Sequence, residues 1–317
     1  MSASGQGTGS GDARHVFTVD VEEYFQVHAF EDLVHPDEWE CFPSRVGLAT
    51  DRLLEVLDDH DTRATFFVLG WIAERHPDVV RRIVDAGHEV ASHGYWHDRV
   101  GELSVEGFRA DVRRSKEVLE ELTGQPVSGY RAPRFSLDED TEWMLRVLAE
   151  EGYRYDSSVV PARMAAGGGW PDAGRWPGIV ETGAGRLLEL PLTTARWAGL
   201  TLPAAGGAYL RHLPYSLVRS GFRQAEEEGQ PGVFYVHPWE LDPDQPTIPG
   251  SLSARIRHYR NLQRTEALVR RVLTDFDFTS VRERFALDRE EERKGDRRSG
   301  PAADGNDAES RSRRLGS

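Results

Sequence analysis

The chain has 317 residues, enough for an α/β barrel of ~200–250 residues with appendages. Its 53 acidic and 39 basic residues leave a net charge of −14, which argues against a nucleic-acid duplex or an anionic membrane surface as the main partner. Cys41 is the single cysteine, which excludes an intrachain disulfide framework and a cysteine-rich zinc site, and no stretch approaches the ~18 apolar residues of a membrane span.

Residues 1–13 are small and polar and carry no apolar signal core, so they read as a disordered N-terminus on a cytoplasmic protein. "HVFTVDVE" (15–22) then reads as a strand, followed by helical spacing over about 45–60 and a second strand, "RATFFVLG". A helix over about 71–86 ends at Gly87, and "HEVAS" is a third strand. The alternation continues with a helix over about 105–122, a strand "SGYRAP", a helix over 139–151 and a strand "YRYDSS". Strands alternating with helices imply parallel β/α units, in a barrel or an open doubly wound sheet.

Beyond Val159 the rhythm breaks. "MAAGGGWPDAGRWPG" is loop chemistry ahead of a strand-like "RLLELPLTT", and "TLPAAGGAYLRHLPY" is a second glycine-marked loop leading into a helix that ends near Gly229. The glycines at 167–169 and 206–207 are expected to shape a cleft. "GVFYVHP" (232–238) is an apolar strand running into a histidine; a long helix over about 252–274 and a last strand, "FTSVRE", close the fold. We therefore read 14–287 as one barrel with a C-terminal extension from about residue 200, and the charged stretch 288–317 as a disordered tail.

The polar residues that interrupt these strands fall at their C-terminal ends: Asp20 and Glu22, His93, Arg131, Asp156 and His237. In a parallel β/α barrel the active site assembles at that edge. Side chains alternate along a strand, so Asp20 and Glu22 share a face while Val21 and Glu23 take the other. One carboxylate can then bind a metal while the other acts as a base; alternatively "DVEE" is simply a strand emerging into solvent. His93 and His97 in "ASHGYWH" are spaced to hold one ion, although an isolated HxxxH is more often structural. Arg131 supplies a cation to orient a carboxylate base, and Asp156 a carboxylate to orient His237 as an acid. Trp239 is a candidate for packing on a sugar face, against the commoner reading as core, and Arg211 is either a contact to an acidic sugar or phosphate or a structural ion pair.

In order and spacing, "FTVDVEEYF", "SHGYWH", "RAPRF", "YDSS" and "VFYVHPWE" together resemble the polysaccharide deacetylase family with the NodB-homology domain. The region from "GGAYLRHLPY" onward looks like the extension of a subgroup associated with exosortase and exopolysaccharide loci. The resemblance implies a distorted (β/α) barrel that removes N-acetyl groups from amino sugars of a poly- or oligosaccharide, in exopolysaccharide biosynthesis. It implies one divalent metal, Zn2+ or else Co2+, Ni2+ or Mn2+. Asp20 then matches the catalytic base, Arg131 its orienting arginine, His93 and His97 the metal histidines, Asp156 the motif-four carboxylate and His237 the general acid. Phe135 stands where the family offers a backbone N–H to the oxyanion. The family's usual second aspartate is replaced here by Val21, which leaves Glu22, ahead of Glu23, as the third ligand. A deformylase or other amidase acting on a lipid-linked amino sugar or cyclic amide, and a carbohydrate-binding protein without catalysis, are the alternatives.

Overall fold

Strand β1 (His15–Val21) is buried along its whole length. The structure, a computed structural model, describes residues 14–164 and 169–287. The expected disordered segments 1–13 and 288–317, and Gly167 and Gly168 of the expected cleft loop, lie outside the described residues. The described residues through Arg284 belong to one compact unit; of the other, from Phe285, only 285–287 are described.

After β1 come α1 (Val46–Asp58), β2 (Thr65–Val68), α2 (Gly70–Arg75), α3 (Pro77–Asp85), β3 (Glu89–Ser92) and α4 (Val105–Thr123). The single helix expected over 71–86 is two, because Pro77 cannot continue a helix and instead opens the next one at its first position. Helix α4 keeps its expected length through its ends: Ser104 Oγ accepts the Gly107 N–H, and Gly124 (φ +64°) makes the left-handed C-terminal turn. β4 (Gly129–Tyr130), α5 (Trp143–Glu150) and β5 (Tyr155–Asp156) complete the regular half.

The second half departs further from expectation. β6 (Gly178–Glu181) begins at the last residue of the stretch read as loop, is not among the expected strands, and pairs antiparallel with β7 (Arg186–Glu189). β8 (Thr194–Trp197) and β9 (Leu200–Pro203) form a separate hairpin whose turn residues, Ala198 and Gly199, both have positive φ. α6 (Ala208–His212) and α7 (Tyr215–Glu227) flank Pro214, and β10 (Val233–Val236) follows. The expected long helix over 252–274 is α8 (Leu252–Tyr259) and α9 (Leu262–Asp275), separated at Asn261, which is left-handed at φ +64°. Only β11 (Phe278–Thr279) of "FTSVRE" is strand; Val281–Arg284 is the short helix α10.

The large sheet runs β10-β1-β2-β3-β4-β5-β7-β6, parallel throughout except for the β6–β7 pair, with β11 added to β1. Irregular chain draws its two sides together. The Thr193 N–H donates to Val233 O (3.2 Å), and Tyr235 both donates to Ala205 O (2.7 Å) and accepts from the Gly207 N–H (3.0 Å). The result is a distorted (β/α) barrel, closed by short contacts where a full strand pair is missing. Gly206 permits that closure: at φ +122°, a Cβ there would sit 2.0 Å from Tyr235 O. Among the described residues no helix is long and apolar enough to cross a membrane.

Candidate active site

The C-terminal ends of the strands converge on a cleft of about 390 Å3, whose lining includes Asp20, Glu22, His93, His97, His237 and Trp239. Asp20 and Glu22 both face it, as strand alternation requires, while Val21 is core. Glu23 turns the other way and accepts the N–H groups of Arg45 and Val46 at the start of α1, which removes it as a ligand.

Glu22, His93 and His97 each offer a ligand atom, all within 4.8 Å of one another, and all three residues are buried. His97 Nε2 lies 2.7 Å from Glu22 Oε2. His93 Nδ1 lies 2.8 Å from Arg131 O, and a carbonyl only accepts, so Nδ1 carries the proton and the Nε2 lone pair is left for a metal. Burial lowers His93 to about 4, which keeps it neutral. Burial alone would raise Glu22, but the surrounding imidazoles of His97, His237 and His93 hold it below the usual carboxylate range. Two imidazoles and a carboxylate suit zinc, and also the cobalt, nickel or manganese ions that accept nitrogen and oxygen donors.

The loop that presents the histidines is tightly held. His97 adopts φ +63°, a conformation costing a non-glycine residue ~1–3 kcal/mol, next to Gly94 at +76°. Asp111 on α4 accepts the N–H groups of Tyr95 (2.9 Å) and Trp96 (3.2 Å), which fixes the turn between the two ligands. Nothing in the spacing of the sequence singled out Asp111, which lies on a helix otherwise read as ordinary.

Arg131 is fully buried beneath Asp20. One Nη1 donates to Asp20 Oδ1 (2.7 Å) and to Thr18 Oγ1 (2.8 Å), while Nε and Nη2 donate to Ser157. Its guanidinium also lies over the Phe67 ring, 4.2 Å from the centroid. The Asp20 carboxylate is thus held in one orientation by a cation that cannot turn away.

His237 approaches the cluster from β10, with Nε2 3.4 Å from Glu22 Oε1. Its Nδ1 is bound to Glu240 Oε2 (2.9 Å). Burial would lower its pKa, but Glu22 and Glu240 raise it to about 9, so the imidazole is cationic at neutral pH. Asp156, expected to orient His237, does something else. Its Oδ2 accepts the Ser158 N–H, its Oδ1 accepts Ser158 Oγ–H, and Ser158 Oγ in turn holds the Ala132 N–H, so Asp156 braces the turn after Arg131. Burial raises its carboxyl, and burial with the neighbouring Asp156 charge raises that of Glu189 still further, so the pair favours its protonated forms more than free carboxyls do.

Three other candidates have their partners within the protein. Arg211, read as a contact for an acidic sugar or as an ion pair, is the ion pair: its Nε donates to Glu240 Oε1 (2.8 Å) and the residue is buried. Trp239 lines the cleft, yet its Nε1 donates to Glu22 Oε1 (3.1 Å) and its ring stacks between those of His237 and His258. The Phe135 N–H is already committed to Ala132 O (3.1 Å) within a turn where Arg134 and Phe135 have φ of +60° and +52°, so in this geometry it faces no oxyanion. Glu240 and His258 were missed as site residues. For Glu240 a signal existed: a glutamate three residues after His237, in "HPWE", has capping-box spacing.

Residues 41–155 match the family model Polysaccharide deacetylase, and residues 157–286 match a Domain of unknown function, DUF3473. The chain is 34% identical over 120 residues to a peptidoglycan deacetylase-like protein of Gibberella zeae, covering 37% of this chain and 34% of that protein. It is 32% identical over 119 residues to the peptidoglycan deacetylase of Helicobacter pylori, covering 38% and 39%. The alignments thus span between a third and two fifths of these relatives. A solved Mycobacterium smegmatis structure described as a polysaccharide deacetylase shares the fold, with a TM-score of 0.60 and 24% identity over 90% of this chain and 94% of that one. Residues 41–155 thus carry a polysaccharide deacetylase domain.

Proposed function

We propose that the cleft hydrolyses the acetamide of an N-acetylated amino sugar within a poly- or oligosaccharide, using one divalent ion, zinc in the first instance, held by Glu22, His93 and His97. One observation carries this reading: the three-residue cluster lies in the same cleft as a carboxylate held by Arg131 and an imidazole, that of His237, held by Glu240. A divalent ion at that place supplies Lewis acidity toward the acetamide carbonyl and toward water. Asp20, oriented by Arg131, takes a proton from the attacking water. His237, cationic before the reaction, gives its Nε2 proton to the departing amine nitrogen, so acetate and a free amino sugar leave. Trp239 keeps Glu22 turned toward the histidines, as partners of metal-binding carboxylates do.

The exopolysaccharide setting is supported only by the likeness of the C-terminal region to that subgroup. The test is acetate release from N-acetylated oligosaccharides by wild-type protein, by protein stripped with a chelator, and after zinc is added back. Acetate formation that vanishes on stripping and returns with zinc is expected. Full activity after stripping, or release of formate in place of acetate, would overturn the reading.

A further inference from the structure

We propose that Glu240, clamped by Arg211, is the positioning residue of His237, so that the segment matched only as a domain of unknown function supplies the carboxylate expected at Asp156. The proposal rests on the deacetylase reading for its kinetic consequence but not for its geometry.

Glu240 is completely buried and uses both oxygens. Oε2 accepts the backbone N–H of His237 (3.1 Å) as well as the ring Nδ1–H (2.9 Å), so one oxygen fixes both the main chain and the imidazole. Oε1 accepts Arg211 Nε (2.8 Å), and Arg211 Nη1 is anchored on His258 O (2.8 Å) and Arg260 O (3.0 Å). Asn261 adds a bond from Nδ2 to Arg211 O (2.8 Å), which places the left-handed break between α8 and α9 in the same network. Stacking fixes the ring plane: His237 lies on Trp239 (5.1 Å, 23°) and Trp239 on His258 (4.3 Å, 15°).

With Nδ1 committed as donor, Nε2 is the only ring atom that can face the cleft. Asp156 does not take this part: its carboxylate faces Ser158 and Glu189, while the ring Nδ1 of His237 is bound to Glu240. All the residues of the network, from Arg211 to Asn261, lie within 157–286. The second matched segment therefore completes the site as well as the barrel.

The experiment uses the full chain and two readouts. Glu240→Gln is expected to lower kcat ~10–100-fold, as loss of an outer carboxylate partner does, with KM and bound zinc per chain unchanged. In 15N-edited NMR, the slowly exchanging Nδ1 proton of His237 is expected to be lost in Glu240→Gln and kept in Asp156→Asn. The paired variant Arg211→Met/Glu240→Gln leaves no orphaned buried charge, and it should show the same kcat loss as Glu240→Gln alone. Wild-type kcat and an intact signal in Glu240→Gln, or a signal lost only in Asp156→Asn, would overturn the proposal. A wild-type protein that releases no acetate would sink the deacetylase reading alone, because the NMR comparison needs no substrate.

Discussion

Arg131 shows how much of the site depends on single buried groups. Its charge faces Asp20 with neither residue exposed, so removing it orphans a buried carboxylate. Arg131→Met should cost ~3–5 kcal/mol of unfolding free energy, measurable as a fall in the denaturant midpoint. A variant within 1 kcal/mol of wild type would show that Asp20 finds another partner. The Asp156–Glu189 pair makes a second prediction, with a defined sign. Both carboxyls are raised in the folded protein, so the native state holds more protons than the unfolded chain just above the ordinary carboxylate range. Their contribution is full below pH ~4 and is lost as pH rises through the raised values. Glu189→Gln should therefore flatten the decline of melting temperature with rising pH, and a parallel decline in both proteins would count against the raised carboxyls. Much of the chemistry was legible residue by residue: alternation put Asp20 and Glu22 on one face, and spacing paired His93 with His97. The partner choices were not legible. The capping-box spacing hinted at Glu240, but only the fold shows that Asp156 faces Ser158 and Glu189 while His237 faces Glu240.

At the scale of elements, the strand and helix alternation up to Asp156 could be read because each unit carries a strong period and a turn residue at its end. What escaped were interruptions decided by one backbone position. Pro77 divides one expected helix and Asn261 another, and the β8–β9 hairpin turns on Ala198 and Gly199 inside a stretch with little alternation. Gly206 is the element-scale residue of greatest consequence, since it lets the chain before α6 lie against β10 and brings Arg211 to Glu240. A Cβ at that position meets a backbone oxygen at 2.0 Å, and φ of +122° is unfavourable to any L side chain. Gly206→Ala should lose ~1–3 kcal/mol or more and, in the folded fraction, lower kcat along with stability. A variant with unchanged melting temperature would mean that the closure of the barrel is looser than these contacts imply.

At the scale of the molecule, the two matched segments divide the site between them, beyond the β1 residues that precede both. His93, His97 and Arg131 come from 41–155, whereas His237, Glu240 and Arg211 come from 157–286. Glu22, immediately after the strand that pairs with both β2 and β10, touches ligands and acid from the two sides. An ion on Glu22, His93 and His97 would therefore tie β1 to the loop after β3, and binding to the native state alone must raise its stability. At a free zinc concentration 100-fold above the dissociation constant the gain is ~2.7 kcal/mol, which for a chain of this size is a rise in melting temperature of roughly 4–5 °C. The rise should reverse with a chelator and be absent in His93→Ala, while Glu240→Gln, whose carboxylate does not touch the cluster, should keep it. If zinc left the wild-type melting temperature unchanged, or shifted His93→Ala equally, the three-residue cluster would not be the metal site. If Glu240→Gln lost the shift as well, the acid and the metal would be coupled more tightly than their separate partners imply.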